Sequence, residues 1–437
     1  MNDWKFEGWE NFWEPMDEDQ PEAIFLTTYT FNPNFLVEEL LPNLFGMSEE
    51  LKSDAWLVDM KGKLENCPVY VFCDGGKWAG TNQLNFLFLE LGGKVFEVFV
   101  SNGCMHAKLW MIKFKNVIRM GIGSCNLTEN GFIDQLQYVW MTEIQLSPGS
   151  VSDNSKRLIE FIRLFAKQKE DRVLQEWYNW LRIGKWPSKS WLLPCAPGKK
   201  GKHYGLGRLS KITHGKNGIK LRKNNNKYEA YLQVFCIGQM DKEWIKQFME
   251  AMHAESLYVF WPEKTDCKDN PVLCGMILPE STQTTFSQME ETKFCKLKLT
   301  ENVKFDKLLP HGKIYGLWDQ GKNNGNYRYI IIGSSNFTKP AWTGCAKQGV
   351  KGNFELNIVV EQKSNVFPVD GDENKDPWIS ENMAEIGYES LCYMQAENKR
   401  IKNEIKLSIN LWTCADNINI KYSCLQAYSS ILPSNQM

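Results

Sequence analysis

Hydrophobic positions along the chain follow two periods, and each change of period separates predicted strands from predicted helices. Short apolar runs rich in valine, isoleucine and phenylalanine are typical of buried strands. Such runs cover residues 23–28, 68–73, 94–100, 106–114, 117–122, 137–144, 228–236, 257–261, 311–317, 327–333 and 354–361. Each half therefore contains enough strands for a sheet of its own, and two neighbouring pairs of runs predict hairpins.

The helical pattern is clearest between residues 152 and 182, where apolar residues recur every three or four positions. This period predicts one long helix or two shorter ones. Further helices are predicted over 241–253 and over 35–45, the latter with Asn34 as its N-terminal cap. Both halves mix strands and helices in a similar way, so we expect an α/β fold of two pseudo-symmetric α/β/α sandwich domains with mixed sheets.

Composition changes after residue 195, where we place the boundary between an N-terminal domain, 1–195, and a C-terminal domain, 196–437. Residues 197–227 contain ten lysines and arginines, several glycines and no acidic residue. This composition predicts a loop or linker between the halves. A solvated basic loop and a contact for a polyanion are equally compatible with it.

An acidic segment, 370–381, approaches the spacing of a calcium-binding loop. Lys375 stands where such a loop requires glycine, and Pro377 interrupts the pattern. The segment is therefore predicted to be an ordinary acidic loop.

The overall composition excludes several classes of protein. The 437 residues carry 51 basic and 52 acidic side chains, so no polyanion can be held by bulk charge and a local basic patch is needed. Hydrophobic residues make up 43%, which is enough for a large core and excludes a wholly disordered chain. The 13 cysteines include no CxxC pair, which favours reduced thiols inside a cell. No apolar run or N-terminal pattern predicts a membrane span or a signal peptide.

The strongest signal is an internal repeat of histidine, lysine and asparagine. Each copy begins with an HxK unit on a predicted strand and ends with a GSxN unit where the next strand stops. The chain has only five histidines, so a matched pair of this kind argues against chance. The two copies are His106-Ala107-Lys108 with Gly123-Ser124-Cys125-Asn126, and His311-Gly312-Lys313 with Gly333-Ser334-Ser335-Asn336.

This spacing brings the polar side chains together, because residues two positions apart on a strand point to the same face. Joined about a pseudo-twofold axis, the two copies would surround one tetrahedral anion with two imidazoles, two ammonium groups and two amides. Such a set suits phosphoryl transfer: lysine and asparagine stabilise the phosphoryl oxygens, one histidine attacks phosphorus, and the other moves protons. The lysines supply the positive charge, so we expect no metal ion and no other cofactor.

At these residues the chain resembles the phospholipase D superfamily, whose usual motif has an acidic residue five positions after the lysine. The corresponding residues here are Lys113 and Trp318, which argues against a typical phospholipase. The departure matches the tyrosyl-DNA phosphodiesterase branch, in which HxK is paired with a distant asparagine. Gln137 and Glu355 match the active-site glutamine and glutamate of that branch. The resemblance implies a phospholipase D-like fold with the active site at the domain interface.

The resemblance also implies a role for each residue of the repeat. His106 would be the nucleophile, and His311 the proton donor and acceptor. Gln137 and Glu355 would orient the two histidines, although either residue alone would be interpreted as an ordinary polar strand position. The substrate would be bound by Lys108, Lys313, Asn126, Asn336, Ser124, Ser334 and Lys339.

Members of this family remove tyrosine or other adducts from a DNA 3′-phosphate. The expected partner is therefore single-stranded or 3′-end DNA that carries a protein or peptide adduct, bound by a monomer. Residues 197–227 and Lys339 are candidates for phosphate contacts, and Tyr29 and Phe31 for stacking on a base. A nuclear location is expected if the source is eukaryotic, and a cytoplasmic one otherwise.

Three other functions compete with this interpretation: an HKD-type nuclease, a phosphatidyl-transferring lipase and a catalytically idle nucleic-acid-binding module. The complete HxK and asparagine sets argue against the idle module. The missing acidic residues and the lack of membrane features argue against the lipase. The sequence leaves the choice between a nuclease and an end-processing enzyme open.

Overall fold

The apolar runs form two sheets in the computed structural model, which describes residues 12–361 with internal gaps. The acidic segment 370–381 lies outside the described residues, so its interpretation as an ordinary loop stays a prediction. The gaps are residues 17–18, 49, 76–86, 134, 167–170, 200, 217, 222–226, 263–278, 298–308, 320–325 and 344–351.

The first sheet is mixed and is built from the first half of the chain. The strands of this half are β1 Ala23–Thr28, β2 Val69–Asp74, β3 Lys94–Val98, β4 Leu109–Phe114, β5 Val117–Gly123, β6 Gln135–Leu136, β7 Val139–Leu146 and β8 Gly184–Lys185. Seven of them form the sheet in the order β3-β2-β1-β4-β5-β7-β8. The central strand β1 is buried at every position because it lies between β2, which is parallel, and β4, which is antiparallel.

The second sheet repeats this arrangement. Its half contributes β9 Ser190–Cys195, β10 Tyr228–Gln233, β11 Ser256–Pro262, β12 Thr292–Leu297, β13 Leu309–Pro310, β14 Ile314–Asp319, β15 Asn326–Gly333 and β16 Glu355–Glu361. The order in the sheet is β12-β11-β10-β14-β15-β16-β9. Strand β10 takes the place of β1, since it is parallel to β11 and antiparallel to β14. The predicted α/β fold with two similar mixed sheets is therefore confirmed.

Strand β9 bears on the expected domain boundary. It ends at residue 195, yet it pairs with β16 in the second sheet. A division of the chain by sheets therefore falls before β9, a few residues earlier than the sequence suggests. Both sheets belong to one compact unit.

Helices pack against both sheets. They are α1 Pro33–Phe35, a π-helical turn Leu36–Leu40, α2 Leu41–Phe45, α3 Asp54–Asn66, α4 Leu87–Glu90, α5 Glu129–Ile133, α6 Asp153–Phe165, α7 Arg172–Ile183, α8 Gly205–His214, α9 Lys242–Met252, α10 Glu280–Ser287 and α11 Lys339–Thr343. The pattern over 152–182 forms two helices, because Asp171 accepts hydrogen bonds from the N–H groups of Val173 and Leu174 and caps a new start.

Two expectations about helices are wrong. The cap of the helical stretch that starts at Pro33 is Asn32, whose side chain accepts from the N–H groups of Asn34 and Phe35, so Asn34 lies inside the helix. The basic stretch 197–227 contains α8 rather than loop alone. Leu209 and Ile212 bury one face of α8 against the protein while Lys211 stays exposed, so packing overrides the glycine-rich composition.

The largest hydrophobic cluster joins the two sheets. It contains Ile122 and Trp140 from the first half together with Ile330, Ile332 and Leu356 from the second. Helix α6 adds further apolar side chains to the same cluster. This shared core holds the halves together beside the residues of the repeat. In the part of the chain that the structure describes, no helix combines the length and apolar character that crossing a bilayer requires.

Candidate active site

Both HxK units occupy the same place in their sheets, in an extended segment that leads into a strand next to the central one. Residues 106–108 directly precede β4, and residues 311–313 directly precede β14, so the units lie just ahead of the strands rather than on them. In the first half, Thr27 anchors this segment. Its hydroxyl donates to the carbonyl of Ala107 at 2.9 Å and accepts from the N–H of Leu109 at 2.9 Å.

Each lysine lies beside the histidine of its own unit, as the spacing predicts. Lys108 Nζ donates to the carbonyl oxygen of His106 at 2.8 Å, and Lys313 Nζ donates to that of His311 at 2.6 Å. Lys313 Nζ also lies 2.9 Å from Nε2 of the His311 ring. Both lysines are buried, so each unit places an ammonium group beside an imidazole in a desolvated position.

Short extended segments of one half pair with the other half at this site. Met105 forms a parallel bridge with Phe354, and the N–H of His106 donates to the carbonyl of Phe354 at 2.9 Å. Likewise, β13, which directly precedes His311, forms a parallel pair with β6, which directly precedes Gln137. The pairing delivers each histidine to a polar side chain of the opposite half.

These two contacts define the site. His106 Nδ1 lies 2.9 Å from Glu355 Oε2, although 249 positions separate the residues. His311 Nδ1 lies 3.0 Å from Gln137 Oε1, across 174 positions. Because a carboxylate and an amide oxygen both accept, these contacts favour the tautomers with the proton on Nδ1 and the lone pair on Nε2. The structure therefore brings together the predicted histidines and the residues predicted to orient them.

The two serines of the repeat hold these orienting groups. Ser124 Oγ donates to Gln137 Oε1 at 2.7 Å, and Ser334 Oγ donates to Glu355 Oε2 at 2.5 Å. Both serines are fully buried. Their hydroxyls are engaged by Gln137 and Glu355, and the prediction that these serines bind substrate stays a prediction.

The two asparagines follow β5 and β15 at the edge of the site. Asn336 Oδ1 accepts from the backbone N–H of Cys236 at 3.1 Å, which leaves the NH₂ group of the amide as a donor. Asn126 Oδ1 is buried and has no hydrogen-bond partner among the described residues. A buried polar atom without a protein partner is typical of a position that a ligand or water completes.

Lys339 and the basic stretch each have a partner in the second half of the chain. The ammonium group of Lys339 forms an ion pair with Asp241, the cap of α9. Helix α8 of the basic stretch packs against α9, α11 and β9. The proposed role of Lys339 and of the basic stretch in phosphate binding stays a prediction.

Burial and crowding of positive charge dominate the electrostatics. Burial lowers the pKa of Lys108 to about 8, against the opposing charge of Glu355. Burial and the Lys108 charge hold the pKa of Lys313 well below the ordinary lysine value. Burial lowers the pKa of His106 to about 4, where Glu355 opposes and Lys108 assists. An anion placed among these groups would be strongly favoured, because it would relieve their mutual repulsion.

The pKa of His311 is also held well below the ordinary histidine value, first by burial and then by Lys313, Lys108 and His106. All three charges belong to the repeat, and two of them, those of Lys108 and His106, lie in the opposite half. The two HxK units thus influence each other's pKa values. Together with the pairing of β13 with β6 and of Met105 with Phe354, this coupling supports one shared site.

Glu355 is the ionised carboxylate of the site. Burial alone would raise its pKa, but His106, Lys108 and the hydroxyl of Ser334 outweigh burial and hold the pKa below the usual value. An ionised Glu355 favours the tautomer in which His106 Nδ1 carries the proton. The lone pair of Nε2 is then available for attack.

Two aromatic rings flank the histidines, one in each half. The Tyr29 ring lies 5.2 Å from the His106 ring, and the Phe235 ring lies 4.7 Å from the His311 ring. Both rings are partly exposed, and each follows a central strand, β1 or β10. Phe31 is buried in the core, so its prediction as a stacking residue is wrong. Phe235 was not predicted, although its position after β10 mirrors that of Tyr29 after β1.

Asp74 is a second residue that the sequence did not reveal. It ends β2, is buried, and accepts the N–H of Met105 through Oδ1 at 2.6 Å. This bond fixes the residue directly before His106. The sequence signal that could have identified Asp74 is its position as a single acidic residue at the end of a buried strand.

The chain is similar to known proteins both in sequence and in structure. The family model described as tyrosyl-DNA phosphodiesterase matches residues 18–411. A histidine-to-asparagine mutant of yeast tyrosyl-DNA phosphodiesterase is similar in structure, with a TM-score of 0.57 and 12% identity over 78% of this chain and 84% of that one. The yeast enzyme without that substitution gives a TM-score of 0.53, with 12% identity and the same coverage. No curated protein matches the chain.

Proposed function

The chain belongs to the tyrosyl-DNA phosphodiesterase family and is a phosphodiesterase; from this premise we propose that it hydrolyses 3′-phosphotyrosyl bonds and other 3′-end adducts of DNA. The proposal rests on one observation above all: two imidazoles from separate halves, each held at Nδ1 by a residue of the other half. The reaction needs no metal ion in this account, because Lys108 and Lys313 supply the positive charge.

The first step of the proposed reaction is attack by His106. Its Nε2 lone pair displaces the adduct oxygen from phosphorus, which forms an N–P bond and breaks the P–O bond to the adduct. The Nδ1–H bond to Glu355 stabilises the positive charge that develops on the imidazole. The low pKa of His106 keeps the ring neutral, and therefore nucleophilic, at neutral pH.

His311 handles the protons in both steps. Protonated at Nε2, it donates to the leaving oxygen as the first bond breaks. Neutral again, it removes a proton from the water that attacks the phosphohistidine, which releases a 3′-phosphate and regenerates His106. Its depressed pKa favours the neutral ring that the second step needs, and the negative charge of a bound phosphate raises that pKa, which favours the protonated ring for the first step.

Lys108, Lys313, Asn126 and Asn336 bind the phosphoryl oxygens in this scheme. Their charges and amide donors stabilise the transition state more strongly than the ground state, since the equatorial oxygens gain negative charge and shorten their hydrogen bonds. Glu355 and Gln137 act as positioning residues for the two histidines. Tyr29, beside His106, is the proposed contact for a base of single-stranded DNA.

An assay in the presence of EDTA tests the proposal. A 3′-phosphotyrosyl oligonucleotide, a plain oligonucleotide and phosphatidylcholine are offered to the wild type, to His106→Ala and to His253→Asn. The last variant is a control, because His253 contacts Tyr228 at the start of β10, and the site lies beyond the other end of that strand. Asparagine tolerates the left-handed backbone of position 253. We expect release of tyrosine from the first substrate alone, retained by His253→Asn and lost in His106→Ala.

Each of the other results has a definite meaning in this assay. Internal cleavage of the plain oligonucleotide would identify an HKD-type nuclease. Release of a headgroup would identify a lipase. Turnover that disappears in EDTA would contradict the metal-independent mechanism.

A further inference from the structure

The middle residues of the two HxK units differ for a structural reason. The first unit has Ala107 and the second has Gly312. A Cβ atom on Gly312 would lie 2.5 Å from Cε2 of Tyr138 and still closer to Cδ2, so alanine cannot fit there unless the Tyr138 ring moves. Tyr138 itself is 6% exposed. The ring of Tyr138 therefore occupies the space that a methyl group fills in the first unit.

The corresponding position in the other half shows the complementary choice. Tyr138 directly follows Gln137, and Leu356 directly follows Glu355. Their backbones make matching bonds: the N–H of Tyr138 donates to Ser124 Oγ at 3.1 Å, and the N–H of Leu356 donates to Ser334 Oγ at 3.0 Å. The unit of His106 thus has alanine, with leucine after Glu355 of the other half, and the unit of His311 has glycine, with tyrosine after Gln137 of the other half.

Tyr138 also has a polar anchor that Leu356 lacks. Its hydroxyl donates to Gln233 Oε1 at 2.8 Å, and Gln233 ends the central strand β10 of the second sheet. Gln233 is 1% exposed, so this bond lies in the interior. The side chain next to Gln137 is therefore fixed to the half that carries His311.

We propose that Tyr138 is a positioning residue that sets the Gln137–His311 contact. The ring packs over Gly312, one residue after His311, and the hydroxyl fixes it to Gln233. The backbone of Tyr138 and the side chain of Gln137 share Ser124, so a shift of the ring moves the Gln137 amide as well. This inference rests on the proposed function, in which Gln137 keeps the proton of His311 on Nδ1.

The first test uses single variants. Gly312→Ala forces the ring away, and we expect kcat to fall about tenfold or more with little change in KM, as for other displaced supports of a reacting group. Tyr138→Phe removes only the hydroxyl and should give a smaller loss. Ala107→Gly makes the same exchange in reverse in the first unit, where no ring is displaced, and serves as the matched control. Thermal unfolding of each variant shows whether it is folded.

The second test introduces the leucine–alanine pair of the first HxK unit at the second HxK unit. Tyr138→Leu combined with Gly312→Ala recreates the leucine–alanine pair, and we expect the double variant to recover most of the activity that Gly312→Ala loses. A general loss of packing would instead make the double variant at least as poor as the worse single variant. That outcome would overturn the proposal.

A readout without turnover separates this inference from the proposed function. The NMR titration of the His311 ring, assigned by its absence in His311→Asn, should move in Gly312→Ala and return towards the wild type in the double variant. The His106 ring should titrate as in the wild type throughout. An unchanged His311 titration in Gly312→Ala would refute the role of Tyr138, whatever reaction the wild type catalyses. Failure of the wild type to release tyrosine would refute the proposed function alone.

Discussion

The two halves of the site are built alike but hold their histidines with different groups. Glu355 gives His106 a full negative charge, whereas Gln137 gives His311 a neutral amide oxygen. A carboxylate stabilises the positive charge that an attacking imidazole acquires. An amide fixes the tautomer without stabilising the charge, so the ring gives up its proton readily. In the proposed mechanism, one repeated frame therefore supplies both a nucleophile and an acid–base group through a change of a single acceptor.

The largest expected effect comes from removing the nucleophile. His106→Ala should reduce turnover by at least about a thousandfold, because the nitrogen proposed to attack phosphorus is lost. The measurement is tyrosine release from a 3′-phosphotyrosyl oligonucleotide, with His253→Asn as the control. Activity of His106→Ala within about tenfold of the wild type would refute the assigned role.

The corresponding change in the other half should have a different signature. His311→Asn should slow turnover about a hundredfold or more and let a covalent DNA–protein adduct accumulate. A tyrosyl leaving group, with a pKa near 10, needs less help from an acid than water needs from a base, so the second step is hurt more. Denaturing gels detect the adduct. Its absence while tyrosine is still released in the first turnover would count against the two roles.

Exchanging the acceptor residues Glu355 and Gln137 tests whether they give the two histidines different roles. Glu355→Gln should lower kcat about tenfold to a hundredfold, since His106 loses the charge that stabilises its attack. Gln137→Glu should raise the pKa of His311 and slow hydrolysis of the adduct, because a protonated ring cannot activate water. Rapid-quench kinetics of the two steps measure both effects. If both exchanges slow the same step, the division of labour between the halves is wrong.

The smallest effect is a shift in pH dependence. Lys108 must be charged to bind phosphate, and its lowered pKa means that this charge is lost as the pH rises through about 8. We therefore expect kcat/KM to fall above about pH 8. Bound phosphate favours the charged lysine, so the limb of kcat should lie at higher pH. A kcat/KM that stays level up to about pH 10, the ordinary lysine range, would show that Lys108 is not needed in its charged form.

Much of the fold could be predicted from local sequence. Strand β1 has the predicted bounds because its whole apolar run is buried in the sheet. The N-terminal cap was missed by two residues, although Pro33 after Asn32 is a recognisable helix start. Helix α8 was missed because its apolar stripe is short and its composition is that of a loop. Tertiary packing against α9 and β9 decides its conformation.

Part of the candidate site could likewise be predicted from local sequence, and part could not. The repeat reveals His106 and His311, whose spacing to lysine is local. The pairing of β6 with β13 could not be predicted, because two-residue strands carry no periodic signal and 174 positions separate Gln137 from His311. Resemblance to a family supplied Gln137 and Glu355 instead. The role of Tyr138 depends on a packing contact that only the structure reveals.

In the proposed reaction, imidazoles from separate halves converge on one phosphorus atom. A crystal structure with DNA, a tyrosyl peptide and orthovanadate tests this convergence most directly, because vanadate adopts the geometry of a phosphoryl group in transfer. We expect vanadium bonded to Nε2 of His106, with the opposite oxygen within hydrogen-bond distance of Nε2 of His311. Vanadate held by one half alone, or bonded to neither ring, would contradict it.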